Sequence, residues 1–352
     1  MKYSLPAIDG NVNHSPHVVI LGAGASIASN IHNGERFGKE LPSMLNLVEI
    51  VGLEEILEKY KITYVGENFE SLYSKLAIEP EHNDLVSELE VKIREYFESM
   101  DLPFTPTIYD YLILSLRKKD FIATFNWDPF LMQAYARCSR YTHELPQIAF
   151  LHGNVESGVC MKDYTVGHIW MKCSQCGNKF EPVNLLYPVE EKNYSEDPVI
   201  KNDWDRLREY LSEAYYLTIF GYSAPVSDAE AKELMLSVWK ENKLSQLNQV
   251  DIIDICEEEE LHQTWDDFIL RSHFSTHKSI FESYLFHHPR RSCDAFSEAT
   301  LMLRPKPENP FPNFDTMDEL YNWVKPLIAE EIENEKNRTL FFREQSKIVV
   351  EK

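Results

Sequence analysis

The residues whose types and spacing can do chemistry fall in five places: Gly22-Ala23-Gly24-Ala25-Ser26, Asn126-Trp127-Asp128, His152-Gly153, Gly221-Tyr222-Ser223 and Asp254. A glycine-rich turn lets backbone N–H groups approach a diphosphate, which then sits at the positive end of the following helix. The dehydrogenase fingerprint wants a third glycine, and Ile27 stands there instead, so the turn by itself fits a bare strand–helix junction as well as a ligand site. Asp128 has the residue type of a helix cap and of a ligand contact, whereas Asn126 has less structural reason to sit beside it. Trp127 between them is expected to be exposed. An imidazole titrates near neutral pH, so His152, next to a glycine, is a candidate base.

The first four of these places come after short apolar runs, His17–Leu21, Phe121–Phe125, Gln147–Leu151 and Tyr216–Phe220, and Asp254 lies near the end of a fifth, Asp251–Ile255. The runs are continuous rather than alternating, the pattern of strands covered on both faces. Helical patterns lie between them. Thr105-Pro106 and Asp128-Pro129 read as helix starts, the first opening a face of Tyr109, Leu112 and Leu116, and Ser227/Asp228 reads as a cap for the helix of Leu234, Leu236 and Trp239. The fold class is therefore α/β, a Rossmann-like parallel sheet with ligands expected outside the carboxyl ends of its strands.

Two stretches read as insertions. One is a helical insertion over about 42–118, the other a small loop-rich module over about 156–203. An N-terminal segment (1–16) precedes the main domain (17–288), and a mostly helical, charged extension (289–352) comes after it. The run His287-His288-Pro289-Arg290-Arg291 reads as a surface turn, Glu257–Glu260 as a solvated helix start, and Cys138, Cys256 and Cys293 as buried apolar side chains.

The charge balance, 35 basic against 57 acidic residues for a net of −22, argues against non-specific nucleic-acid binding. No apolar run approaches the roughly 20 residues that span a bilayer, and the first residues carry no signal-peptide pattern. Six cysteines in 352 residues do not make a disulfide framework, so a reduced, cytoplasmic setting is expected.

Together, GAGAS (Gly22–Ser26), TFNWD (Thr124–Asp128), LHG (Leu151–Gly153) and FGYSAP (Phe220–Pro225) resemble the motifs of the sirtuin superfamily, in the right order, and specifically its bacterial sirtuin-like branch. The resemblance implies NAD+ as ligand and cleavage of its nicotinamide–ribose bond. It places Gly22, Ala23, Gly24 and Ser26 at the pyrophosphate, Asn126 at the nicotinamide ribose or an attacking water, Asp128 in support of that pocket, and His152 as base. Gly221 and Ser223 would line the adenosine half, with Asp254 at its ribose diol. Deacylating sirtuins carry G-I-P-x-F-R after the glycine turn. Ser29–Met44 lacks that order, with only Arg36-Phe37 as a loose analogue, which favours water over an acyl-lysine as nucleophile.

The expectation is an NAD+ glycohydrolase of the kind that depletes NAD+ in bacterial anti-phage defence, restrained by self-assembly into a homo-oligomer, by a regulatory partner protein or by its own C-terminal region. The alternatives are a protein deacylase or ADP-ribosyltransferase, and a non-catalytic NAD/ADP-ribose sensor. The sirtuin zinc ribbon needs two C-x-x-C pairs. Only Cys173-x-x-Cys176 is present, and Cys160 and His168 could complete a Cys₃His zinc site.

Overall fold

The computed structural model describes residues 15–32, 35–188, 194, 196–225, 228–244 and 247–337. Most of the N-terminal segment, Ser227 and residues 338–352 lie outside that range.

Six strands pair in parallel: β1 (His17–Leu21), β2 (Phe121–Thr124), β3 (Gln147–Phe150), β4 (Tyr216–Phe220), β5 (Gln249–Ile253) and β6 (His273–His277), in the spatial order β6-β5-β4-β1-β2-β3. From β1 the chain builds outward to one side, then crosses back and builds to the other. That is the strand order of dinucleotide-binding sheets, with its reversal at the β1/β4 boundary. The register aligns the carboxyl ends: Leu21 pairs with Thr124 and Phe220, Thr124 with Phe150, Phe220 with Ile253, and Ile253 with His277. The turns at these ends therefore all open onto one edge of the sheet.

Two details differ from the sequence expectation. The fifth strand starts two residues earlier, because its polar residues are satisfied inside. Asp251 accepts from Tyr216 Oη (2.8 Å), from Ser275 Oγ (2.6 Å) and from Gln249 Nε2 (2.8 Å), while Ile255 is 84% exposed beyond the strand end. The sixth strand, HFSTH, carries no apolar run. As the outer strand it is half-exposed and tolerates polar residues on both faces.

Alternate side chains divide the two layers. Val18 and Ile20 pack with the helices Pro198–Glu213, Ala229–Glu241 and Glu258–Ile269. Val19 and Leu21 face the helices of the first insertion. Among those, Asn83–Glu98 buries Leu85, Leu89, Ile93 and Phe97, a stripe at helical spacing. Helix Ile108–Ser115 starts later than Thr105-Pro106 suggests, because Thr107 and Asp110 form a reciprocal capping box. Glu257–Glu260 is exposed at the start of Glu258–Ile269, as expected.

Helix Met317–Asn337 joins the insertion's core through Leu320, Val324 and Ile328. The expected surface turn at 287–291 is largely interior instead: His288 and Arg290 are buried. The Arg290 guanidinium donates to Glu331 (2.7 Å) and to the carbonyls of Leu116 (2.8 Å) and Glu144 (3.0 Å), so a charge that reads as surface is fully paired inside. No helix among the described residues is long and apolar enough to cross a membrane.

Candidate active site

At the sheet reversal the turns after β1 and β4 touch. A β-carbon on Gly22 would lie 2.4 Å from the Gly221 carbonyl oxygen, and one on Gly221 would lie 2.4 Å from the Ala25 nitrogen. Gly221 also holds φ +61°, a left-handed conformation that disfavours side chains. The N–H groups of Gly22, Gly24 and Ala25 donate to the carbonyls of Phe220, Gly221 and Gly22 (3.0 Å each), so these glycines lock the two turns together. Ala23 and Ser223 stand exposed at this junction, and Asp254, half-buried, lies just past β5 with Oδ1 accepting from Cys256 N–H (3.0 Å).

Beside it, after β2, lies a compact polar knot. Asn126 Nδ2 donates to the Gly22 carbonyl and to Ser26 Oγ, both at 2.8 Å, and stands 3.4 Å from Tyr109 Oη. Ser26 Oγ and Tyr109 Oη are 2.7 Å apart. Burial pushes the pKa of the Asp128 carboxyl up to about 6. Asp128 Oδ1 accepts from the N–H of Phe130 (3.1 Å), the first residue of helix Phe130–Cys138. Ser26, expected at a pyrophosphate, is 1% exposed and engaged within the protein. Trp127, expected to be exposed, is buried against Phe97 (centroids 5.9 Å) and Tyr187 (5.1 Å).

His152, just past β3, is also buried. Its ring meets Phe125, the neighbour of Asn126, edge-on at 4.9 Å and stacks toward Tyr194 at 6.0 Å. Its Nε2 lies 3.8 Å from Asp228 Oδ1, and Tyr222 Oη donates to the other Asp228 oxygen (3.2 Å). Asp228 precedes helix Ala229–Glu241 without a capping hydrogen bond from its side chain. Its carboxylate faces the histidine instead. Asn126, Asp128 and His152 are thus gathered at adjacent strand ends, next to the glycine junction. A carboxylate within reach of an imidazole orients it and favours its protonated form, which suits a base that must take up a proton.

The loop-rich module is a small antiparallel sheet of Ser157–Val159, Val166–His168 and Glu181–Pro182. Cys160, Asp163, Cys173 and Cys176 bring their ligand atoms within 4.8 Å of one another. Two loops of the same design carry them. Gly177 N–H donates to Cys173 O (2.9 Å) and Cys173 N–H to Asn178 O (2.9 Å). Tyr164 N–H donates to Cys160 O (2.8 Å) and Cys160 N–H to Thr165 O (2.9 Å). Gly177 (φ +74°) and Tyr164 (φ +52°) occupy the matching left-handed positions.

Zinc–sulfur bonds of about 2.3 Å in a tetrahedron put sulfurs roughly 3.8 Å apart. Cys160 and Cys176 Sγ are separated by 3.5 Å, and Asp163 Oδ2 lies 3.7 Å from Cys160 Sγ and 3.3 Å from Cys173 Sγ. The donors therefore fit zinc as Cys₃Asp. His168, expected as the fourth ligand, turns away to Glu156 (3.0 Å).

No protein-family model matches the chain, and no curated protein sequence is significantly similar to it. Among solved structures, a Sir2 homolog in complex with NAD aligns at 15% identity over 75% of this chain and 85% of that one, with a TM-score of 0.40. Sir2 with a p53 peptide and NAD+ aligns at 15% identity over 75% and 88%, with a TM-score of 0.36. Sir2Tm bound to a propionylated peptide does so at 15% identity over 76% and 90%, with a TM-score of 0.35.

Three residues of these sites were not singled out by sequence reasoning. Tyr109 reads as one member of an apolar helix face and Asp228 as a cap, while Asp163 has no reading of its own. Only Asp163 left a trace: Cys160-x-x-Asp163 repeats the spacing of Cys173-x-x-Cys176.

Proposed function

We propose that the chain is an NAD+ glycohydrolase, releasing nicotinamide and ADP-ribose. The observation that carries this reading is the convergence of Asn126, Asp128 and His152 on the strand ends beside the Gly22/Gly221 junction. That is where a dinucleotide sits on a sheet of this order, and these are groups suited to cleaving a glycosidic bond. The diphosphate would lie over the exposed edge of the junction at Ala23, and the adenosine half toward Gly221, Ser223 and Asp254. The nicotinamide ribose would face Asn126.

As the C–N bond breaks, nicotinamide leaves with the bonding electron pair and positive charge develops on the ribose. In this reading the amide oxygen of Asn126 and the carboxylate of Asp128 would stabilise that charge. Water then adds to the anomeric carbon, and its proton passes to His152, which Asp228 steadies. Arg36, the loose analogue of the G-I-P-x-F-R arginine, is exposed and paired with Glu40 (2.5 Å), and water is the nucleophile in this reading. Zinc would be held by Cys160, Asp163, Cys173 and Cys176, where it would brace the module by linking its two loops.

The motif resemblance further supports a regulated effector that depletes NAD+ in anti-phage defence, held in check by assembly or a partner. The test of the activity is nicotinamide release from NAD+, with and without an acetyl-lysine peptide. Release without peptide, lost in Asn126→Ala and His152→Ala, is the expected result. Strict dependence on the peptide would make the chain a deacylase, and binding of NAD+ without consumption would make it a sensor.

A further inference from the structure

Asn126 can serve a reacting sugar in two ways, by donating through Nδ2 or by accepting through Oδ1, and the two have opposite electrostatic consequences. Its surroundings settle which atom faces out. The Gly22 carbonyl, 2.8 Å from one end of the amide, can only accept, so that end must be the NH2 group. The second Nδ2 hydrogen goes to Ser26 Oγ, also at 2.8 Å. Both donors are then spent inside the protein, and Oδ1 is the end left for a ligand.

Ser26 can fill this role only if its own hydrogen points elsewhere. Its other hydrogen-bond neighbour is Tyr109 Oη at 2.7 Å. A hydroxyl has one donor and two acceptor sites. Whether Ser26 donates to Tyr109 or accepts from it, an acceptor site of Ser26 stays turned to Asn126 and nothing is left in conflict. Without the phenol, Ser26 is free to rotate its hydrogen, and the amide loses a fixed acceptor.

We infer that Tyr109, on helix Ile108–Ser115 of the first insertion, is a positioning residue. Through Ser26 it holds the Asn126 amide with its NH2 group engaged inside the protein and its oxygen as the end left for a ligand. Tyr109 is fully buried at the heart of the insertion's core, so its hydroxyl reaches the site from a helix that supplies no other group to it. The placement also explains why Ser26 is unavailable to a diphosphate. This inference rests on the proposed reading for its catalytic consequence but not for its geometry.

The experiment compares Tyr109→Phe with wild type in the full chain. Tyr109→Phe removes one oxygen and keeps the ring in its core position. Two quantities are read: steady-state nicotinamide release, and hydrogen exchange of the Asn126 side-chain NH2, assigned by its disappearance in Asn126→Asp. The expected result is at least tenfold faster exchange of that NH2 group, and a kcat at least tenfold lower with KM for NAD+ changed less than twofold.

Ser26→Ala should reproduce both effects and Ser26→Thr, which keeps the hydroxyl, should restore them. Unchanged exchange in Tyr109→Phe overturns the inference whatever the activity. If wild-type protein releases no nicotinamide, the proposed function fails and the exchange measurement alone decides the role of Tyr109. A parallel loss of KM and kcat with an unfolded exchange pattern elsewhere would mark the residue as merely structural and overturn the inference too.

Discussion

His152 Nε2 stands 3.8 Å from Asp228 Oδ1, two buried side chains brought together from the ends of β3 and of the loop after β4. In the proposed reaction that carboxylate would stabilise the imidazolium formed when His152 takes a proton, and Tyr222 Oη donates to it (3.2 Å). Asp228→Asn keeps the shape and removes the charge. General-base assistance contributes roughly 10²–10⁴-fold, so the substitution should lower kcat by at least about tenfold. An unaltered kcat would separate Asp228 from the chemistry.

The glycine junction sets up a stability comparison. Gly221→Ala meets both a left-handed φ and a backbone nitrogen at 2.4 Å, whereas Gly52→Ala meets the same sign of φ (+75°) with open space around it. Gly52→Ala should cost about 1 kcal/mol, and Gly221→Ala at least ~3 kcal/mol. Urea midpoints of the two variants check the difference. Equal losses would mean that the turns yield easily.

At the opposite edge of the sheet His17 is sealed between Ser292 Oγ (2.7 Å) and Thr218 Oγ1 (2.8 Å), and burial lowers its pKa from 6.5 to about 3. The unfolded chain therefore binds a proton there between pH 6.5 and about 3 that the folded chain refuses. His17 then contributes stability that is present above pH 6.5 and lost as the pH falls. Asp128 and Asp203, both raised to about 6 by burial, act with the opposite sign as the pH rises from 3.8 to 6. Thermal melts of wild type and His17→Gln between pH 7 and 4.5 isolate the histidine. Wild type should lose midpoint more steeply, and parallel curves would refute the assignment.

For the metal site, Asp163→Ala should release zinc at chelator concentrations that leave wild type loaded, while His168→Ala should retain the metal. Zinc analysis of the dialysed proteins distinguishes them. Chelation should also lower the melting midpoint, because the ligands are set apart on two loops that the ion joins. Loss of zinc in His168→Ala alone would restore the Cys₃His arrangement.

Much of the sheet was legible because its strands are buried on both faces and therefore read as unbroken apolar runs. β6 was not, because an edge strand needs no such run. The strand-end residues could be found at the carboxyl end of each run, and the fold's register did the rest. Cross-chain chemistry escaped. Tyr109 looks like core because its ring is core, and only its hydroxyl, meeting Ser26 and Asn126 from far along the chain, says otherwise. Arg290 misled in the reverse sense: its interior placement depends on Glu331, which a local reading of His287–Arg291 has no means of consulting.

That last pairing ties distant parts of the molecule together. Two guanidinium groups, Arg290 and Arg117, lean on the carboxylate of Glu331 in helix Met317–Asn337 (2.7 and 3.6 Å). Without that carboxylate Arg117 would still pair with Asp294 (2.8 Å), but Arg290 would be a desolvated cation left with carbonyl partners alone. Closure of the interior around Leu114–Leu116 is therefore coupled to the docking of a helix about 200 residues further along.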